Sequence, residues 1–267
     1  MTLKYAIRFF LIIGAVFASI AQAQQPYELN QTLDASLTCA GGILTLVGSY
    51  VSSRINPLNE DAVNRLSKES INPFDRRATE YWSPAADEAS DVLEITYIVL
   101  PLSLLLSNKI RDDYQTYGAM YLQTALFTAG MVQLTKGLTQ RARPYAYNPE
   151  LAMQRKMTRD ARRSFYSGHT AAAFSSAAFI TKVYYDTYPD SKWKPVVAGT
   201  SFLGASIVGL LRVKAGKHFP TDVLVGAMMG TLTGYLIPEL HKKDAADIIQ
   251  TRAQPDGIQF SVRFSLN

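Results

Sequence analysis

RRSFYSGHTAAAF, residues 162–174, runs from two arginines through Ser167-Gly168-His169 into an alanine-rich segment. Ser167 is a good N-cap, so a loop is expected to end there and a helix to begin at Gly168. A helix start flanked by cations also suits an anion, because free backbone N–H groups and the helix dipole both favour negative charge. An ordinary cap and turn would account for the same residues, so the surrounding sequence must separate the two readings.

Helical texture dominates around this stretch, with apolar segments at 36–52, 91–107, 116–134, 170–183, 196–212 and 222–237. The pattern predicts an all-α protein of about six main helices. Several segments approach spanning length and are rich in Leu, Val, Gly and Ala. They also carry Glu94, Gln123 and Gln133, and the mean hydropathy is close to zero, so a buried bundle would read alike. Residues 54–90 are charged and contain Pro and Asn, which predicts a short amphipathic helix and turns. The closing GIQFSVRFSLN alternates apolar and polar residues, as a short strand or edge ribbon would. The expected divisions are 1–23, 24–90, a helical core over 91–243 and a tail over 244–267.

Lys4 and Arg8 precede the apolar run FFLIIGAVFASI, and AQA at 21–23 offers a small-residue cleavage site. This reads as an export signal to a bacterial envelope, with an uncleaved anchor as the alternative. Cys39 is the single cysteine, which rules out an intramolecular disulfide, a multi-thiolate zinc site and an iron–sulfur cluster. Three histidines argue against a histidine-rich metal cluster, so neither a metal nor a cofactor is expected. Net charge is only +5, but residues 135–170 concentrate Lys136, Arg141, Arg143, Arg155, Lys156, Arg159, Arg162 and Arg163. A solvated basic loop and an anion site both fit that concentration.

Three groups share one chemical character: Lys136 to Arg143 in KGLTQRARP, Ser167-Gly168-His169, and Arg212, His218 and Asp222 in RVKAGKHFPTD. Pro220 suits a first helical turn, which puts His218 just before a helix and Asp222 inside its start. Asp222 is expected to turn back and fix one ring nitrogen as N–H, leaving the other as a nucleophilic lone pair. Phosphoryl transfer needs neutralised oxygens, an in-line nucleophile and a proton for the leaving group. Lys136, Arg143 and Arg212 would neutralise, His218 would attack, and His169 would act as the acid. Ser167 and the Gly168 N–H would complete the cradle.

In this order the groups resemble the signature of the type 2 phosphatidic acid phosphatase superfamily, over roughly residues 136–222. That superfamily includes lipid phosphatases, bacterial acid phosphatases and vanadium haloperoxidases. The resemblance implies a helical bundle with the site at one end of its core helices and a phosphohistidine intermediate on His218. It implies a phosphate-ester substrate, a membrane lipid before a small soluble ester, and no nucleic-acid partner. Tyr166 stands where the pattern has proline, and Leu211 where it has serine. A vanadate-dependent haloperoxidase and a non-catalytic anion-binding protein are the alternatives. The expected location is the envelope membrane with the site facing the periplasm, or else the soluble periplasm. A cleaved signal followed by three spans, however, would put the motifs on the cytoplasmic side. His241, ahead of two lysines, is expected to be a solvated helix-end residue. Arg162 and Arg163 are candidates for steering an anion, and 54–90 and 145–163 for reading the rest of the ester.

Overall fold

The computed structural model describes residues 25–243 and the backbone of 249–254 and 257–262. The expected signal, residues 1–23, lies outside the described residues. Six long helices form the bundle: α1 (Gln31–Ser53), α2 (Pro84–Val99), α3 (Tyr114–Thr139), α4 (Gly168–Thr187), α5 (Lys194–Lys214) and α6 (Pro220–Leu240). Caps and prolines fix several starts. Asn30, Ser83 and Ser167 accept bonds from first-turn N–H groups, and Pro84, Pro195 and Pro220 sit where a missing N–H costs nothing. α3 stops at Gln140, whose φ of 46° is left-handed. In the tail, β1 (Ile249–Gln254) and β2 (Gly257–Val262) pair antiparallel, in keeping with the alternation read in GIQFSV.

The helices alternate in direction, so α1 and α3 run parallel, as do α4 and α6. Small residues line both seams. Cβ atoms built on Gly226, Gly230 and Gly234 would lie 2.6, 2.3 and 2.2 Å from the carbonyl oxygens of Ser167, Ala171 and Ser175. That repeat of four holds α6 against α4 at a distance no side chain would permit. The ends of α1, α3 and α5 and the starts of α2, α4 and α6 therefore share one end of the bundle. Every motif residue lies there.

The opposite end is also tied. Tyr27 pairs with Lys242 in an isolated bridge, and Glu28 N donates to His241 O at 3.0 Å. His241 is not solvated, contrary to the sequence reading. It is 1% exposed, with Nδ1 2.8 Å from Ile237 O and Nε2 2.9 Å from Asp34 Oδ1. Its local lysines suggested solvent, but the carboxylate that buries it comes from the start of α1.

Among the described residues, four helical segments are long and apolar enough to cross a membrane: Gln31–Ser53, Pro84–Leu106, Lys194–Lys214 and Pro220–Leu240. Leu46, Val92, Ile95, Leu203, Leu224 and Met228 stand exposed on their outer faces. So many bare apolar side chains on four neighbouring helices are what a lipid-facing surface requires.

Candidate phosphate-binding site

Lys136 is in the last turn of α3 and buried, and its ammonium makes no hydrogen bond to a described residue. A Cβ on Gly168 would lie 3.1 Å from Val132 Cγ1 and 3.7 Å from Lys136 Nζ. The absent side chain at 168 thus lets the α4 start sit beside the ammonium. Ser167 is fully buried and caps α4, its Oγ accepting from Thr170 Oγ1 at 2.8 Å, while its N–H donates to Asp222 O at 3.1 Å. The second and third motifs are therefore bonded directly. Tyr166 packs against Val132 and Ala171, filling with an aromatic ring the place the pattern gives to proline.

Arg143 is buried beside them. Its Nε and Nη2 donate to Asp160 O and Oδ1, both at 2.8 Å, and Nη1 reaches Lys217 O at 3.1 Å. The same Nη1 lies 3.4 Å from His218 Nε2. His218 Nδ1 is 2.7 Å from Ser164 O. A carbonyl only accepts, so Nδ1 carries the proton, and the Nε2 lone pair accepts the long bond from Arg143 Nη1. Burial first, then the charges of Arg143, Lys136, Arg212 and His169, hold His218 well below the ordinary imidazole range. The ring is neutral, and its lone pair faces the cationic cluster.

Asp222 reaches the histidine differently from the sequence reading. Its Oδ2 is 3.7 Å from Nδ1, beyond hydrogen bonding, because both oxygens are taken by others. Oδ2 accepts from Ser164 Oγ at 2.5 Å and from Phe219 N at 2.9 Å, and Oδ1 accepts from Arg141 Nη1 at 2.6 Å. The residue that bonds His218 directly is Ser164, and Asp222 holds Ser164.

The start of α2 supplies a set of acids that motif reading missed. Arg212 Nη1 donates to Asp87 Oδ1 at 2.6 Å, Ser90 Oγ at 3.0 Å and Asp91 Oδ1 at 3.3 Å. His169 Nε2 lies 2.7 Å from Asp91 Oδ1 and 3.0 Å from Glu94 Oε2. The spacing of Asp87, Asp91 and Glu94 puts all three on one helical face, which was the available signal. Arg212 Nε, by contrast, is buried without a partner among the described residues. The basic linker divides in use: Arg163 bonds Gln133 Oε1 at 2.6 Å, beside the site, whereas Arg162 turns to Asn56 O at 3.4 Å.

Burial alone would raise Asp160, but Arg143, Lys217 and Lys136 outweigh it and hold the carboxyl low.

The family model of the PAP2 superfamily matches residues 118–245. A Schizosaccharomyces pombe protein described as "Probable diacylglycerol pyrophosphate phosphatase 1" is 32% identical over 113 residues, 38% of this chain and 39% of that one. The lipid A 1-phosphatase of Porphyromonas gingivalis is 33% identical over 144 residues, 52% of this chain and 28% of that one. The chain thus spans well under half the length of either relative. A crystal structure of a transmembrane PAP2 type phosphatidylglycerolphosphate phosphatase from Bacillus subtilis aligns over 89% of this chain and 94% of that one. Its TM-score is 0.36, at 20% identity.

Proposed function

The chain belongs to the PAP2 superfamily through residues 118–245, and from that premise we propose that it is a metal-independent phosphatase acting on lipid phosphates in a bacterial envelope membrane. The observation that carries this reading is the neutral His218, its Nε2 lone pair 3.4 Å from Arg143 Nη1, with the buried Lys136 beside it and Arg212 Nε without a hydrogen-bond partner among the described residues. A phosphate monoester there has its charge neutralised by side chains alone.

In the first step the His218 Nε2–P bond forms as the bond from phosphorus to the leaving oxygen breaks. His169 gives that oxygen its proton. Water then attacks phosphorus, His169 takes a proton back from the water, and the N–P bond breaks to release phosphate and neutral His218. The negative charge of the bound ester supports the imidazolium that His169 must be in the first step, with Asp91 Oδ1 at 2.7 Å and Glu94 Oε2 at 3.0 Å from its Nε2.

Lipid is favoured over soluble esters by the four apolar helices and by an apolar cavity of about 930 Å³ between α5 and α6. Phe74, Tyr81, Trp82, Phe174, Leu210 and Leu224 line it, and its wall includes Val213 and Pro220, chain neighbours of Arg212 and His218. The test is phosphate release by the detergent-solubilised protein, with chelator, from matched lipid and soluble esters. Faster release from lipid, unaffected by chelator, is expected. A preference for soluble esters, or loss with chelator, would overturn the reading.

Residue 25 and the motifs lie at opposite ends of the bundle, so a bundle that crosses the membrane exposes them on opposite sides. The outward-facing site we propose then requires residue 25 on the cytoplasmic side, which neither cleavage after Ala23 nor a span through residues 1–23 starting from the inside would give. Mass spectrometry of the purified protein should find residues 1–23 attached. A chain beginning at Gln24 would turn the site inward.

A further inference from the structure

Asp75 belongs to the 54–90 stretch, for which the sequence predicts a short amphipathic helix and turns, and it lies outside the segment the family model matches. It sits in a single helical turn, Pro73–Arg76, and is fully buried. One oxygen accepts from Thr221 N at 3.0 Å. The other accepts from Thr221 Oγ1 at 2.6 Å, Asn72 Nδ2 at 2.9 Å and Arg141 Nη2 at 2.8 Å. Arg141 is clamped in turn. Its Nη1 donates to Asp222 Oδ1 at 2.6 Å and to Thr221 Oγ1 at 3.0 Å, and its guanidinium lies 4.1 Å from the centre of the Phe219 ring.

These bonds form one line to the reacting atom. Asp75 holds Arg141, Arg141 holds Asp222, Asp222 holds Ser164 Oγ, and Ser164 O takes the Nδ1 proton of His218. We propose that Asp75 is a positioning residue for the nucleophile, acting through Arg141 and Asp222 on the tautomer and aim of His218. The inference rests on the phosphatase reading above.

The electrostatics agree with the geometry. Arg141 faces two buried carboxylates, so the trio carries one net negative charge on the Nδ1 side of the ring. That charge favours the proton on Nδ1 and stabilises the positive charge the ring gains when Nε2 bonds phosphorus. Without Asp75, Arg141 loses its second carboxylate and keeps Asp222, the Thr221 hydroxyl and the Phe219 ring, so the carboxylate that orients Ser164 is less firmly anchored from behind. Phosphate binding is a separate matter, because Lys136, Arg143 and Arg212 take no bond from Asp75.

The test compares Asp75→Asn with the wild-type chain in the same detergent. Asparagine keeps the shape and can still accept from Thr221, but it loses the charge that pairs Arg141. The expected result is a drop in kcat of about 10–100-fold, with KM and inhibition by inorganic phosphate unchanged within about twofold. Arg141→Gln should cost a similar factor, and the double variant no more than either alone, because both interrupt the same line. Unchanged kcat, losses that multiply in the double variant, or a change confined to KM would overturn the proposal. If Asp75→Asn does not fold, Thr221→Val removes the hydroxyl bonds to Asp75 and Arg141 and keeps both charges. A partial fall in kcat is then expected, and an unchanged kcat contradicts the proposal. Failure of the phosphatase reading looks different, because the wild-type chain would then release no phosphate at all.

Discussion

Replacing His218 with glutamine lowers phosphate release on the order of 10³-fold or more and leaves phosphate binding nearly intact. The side chain is fully buried, so the conservative volume matters: alanine would leave a cavity and an unsatisfied Ser164 carbonyl. Glutamine can still donate to that carbonyl, but it offers no basic lone pair to phosphorus. Lys136, Arg143 and Arg212 remain, so inorganic phosphate should still inhibit or bind at a similar concentration. Steady-state kinetics together with phosphate titration separates the two effects. Activity within tenfold of wild type would remove His218 from the nucleophile role.

The second large effect is a trade of stability against activity at Lys136. A buried ammonium with no hydrogen bond to a described residue, among arginines, opposes folding and persists only if something else requires it. Lys136→Met keeps much of the volume and removes the charge. The fold should gain roughly 1–4 kcal/mol, read as a higher Tm in detergent. At the same time kcat/KM should fall about 10²–10³-fold, because one of the cations that meet the phosphoryl oxygens is gone. A purely structural lysine would give the reverse pattern, with lower stability and little change in rate. Opposite movement of the two readouts is therefore diagnostic.

The motif residues were legible because each group is local. Lys136 and Arg143, Ser167 to His169, and Arg212 to Asp222 each sit within one short stretch whose spacing carries the chemistry. The long helices were legible for the same kind of reason, since their apolar runs are continuous. α2 was the exception, beginning at Pro84 and not near 91. Its first turns carry Asp87 and Asp91, which turn inward to Arg212 and His169, so hydropathy hides the helical residues nearest the site.

What could not be read depends on contacts between distant segments. Asp75 meets Thr221 across 146 positions, Ser164 meets Asp222 across 58, and His241 meets Asp34 across 207. Arg141 stood in plain view within KGLTQRARP, yet nothing in that stretch says that its partners are two buried carboxylates. The same lack of long-range information made Asp222 look like the direct partner of His218. Only the folded chain inserts Ser164 between them.

The central claim is that His218 forms a covalent bond to phosphorus, and stereochemistry tests it most directly. A thiophosphate monoester made chiral at phosphorus by oxygen isotopes would be hydrolysed in isotopically labelled water. Two in-line displacements, first by His218 and then by water, predict overall retention of configuration. Inversion would mean that water attacks the ester directly, and would contradict the account.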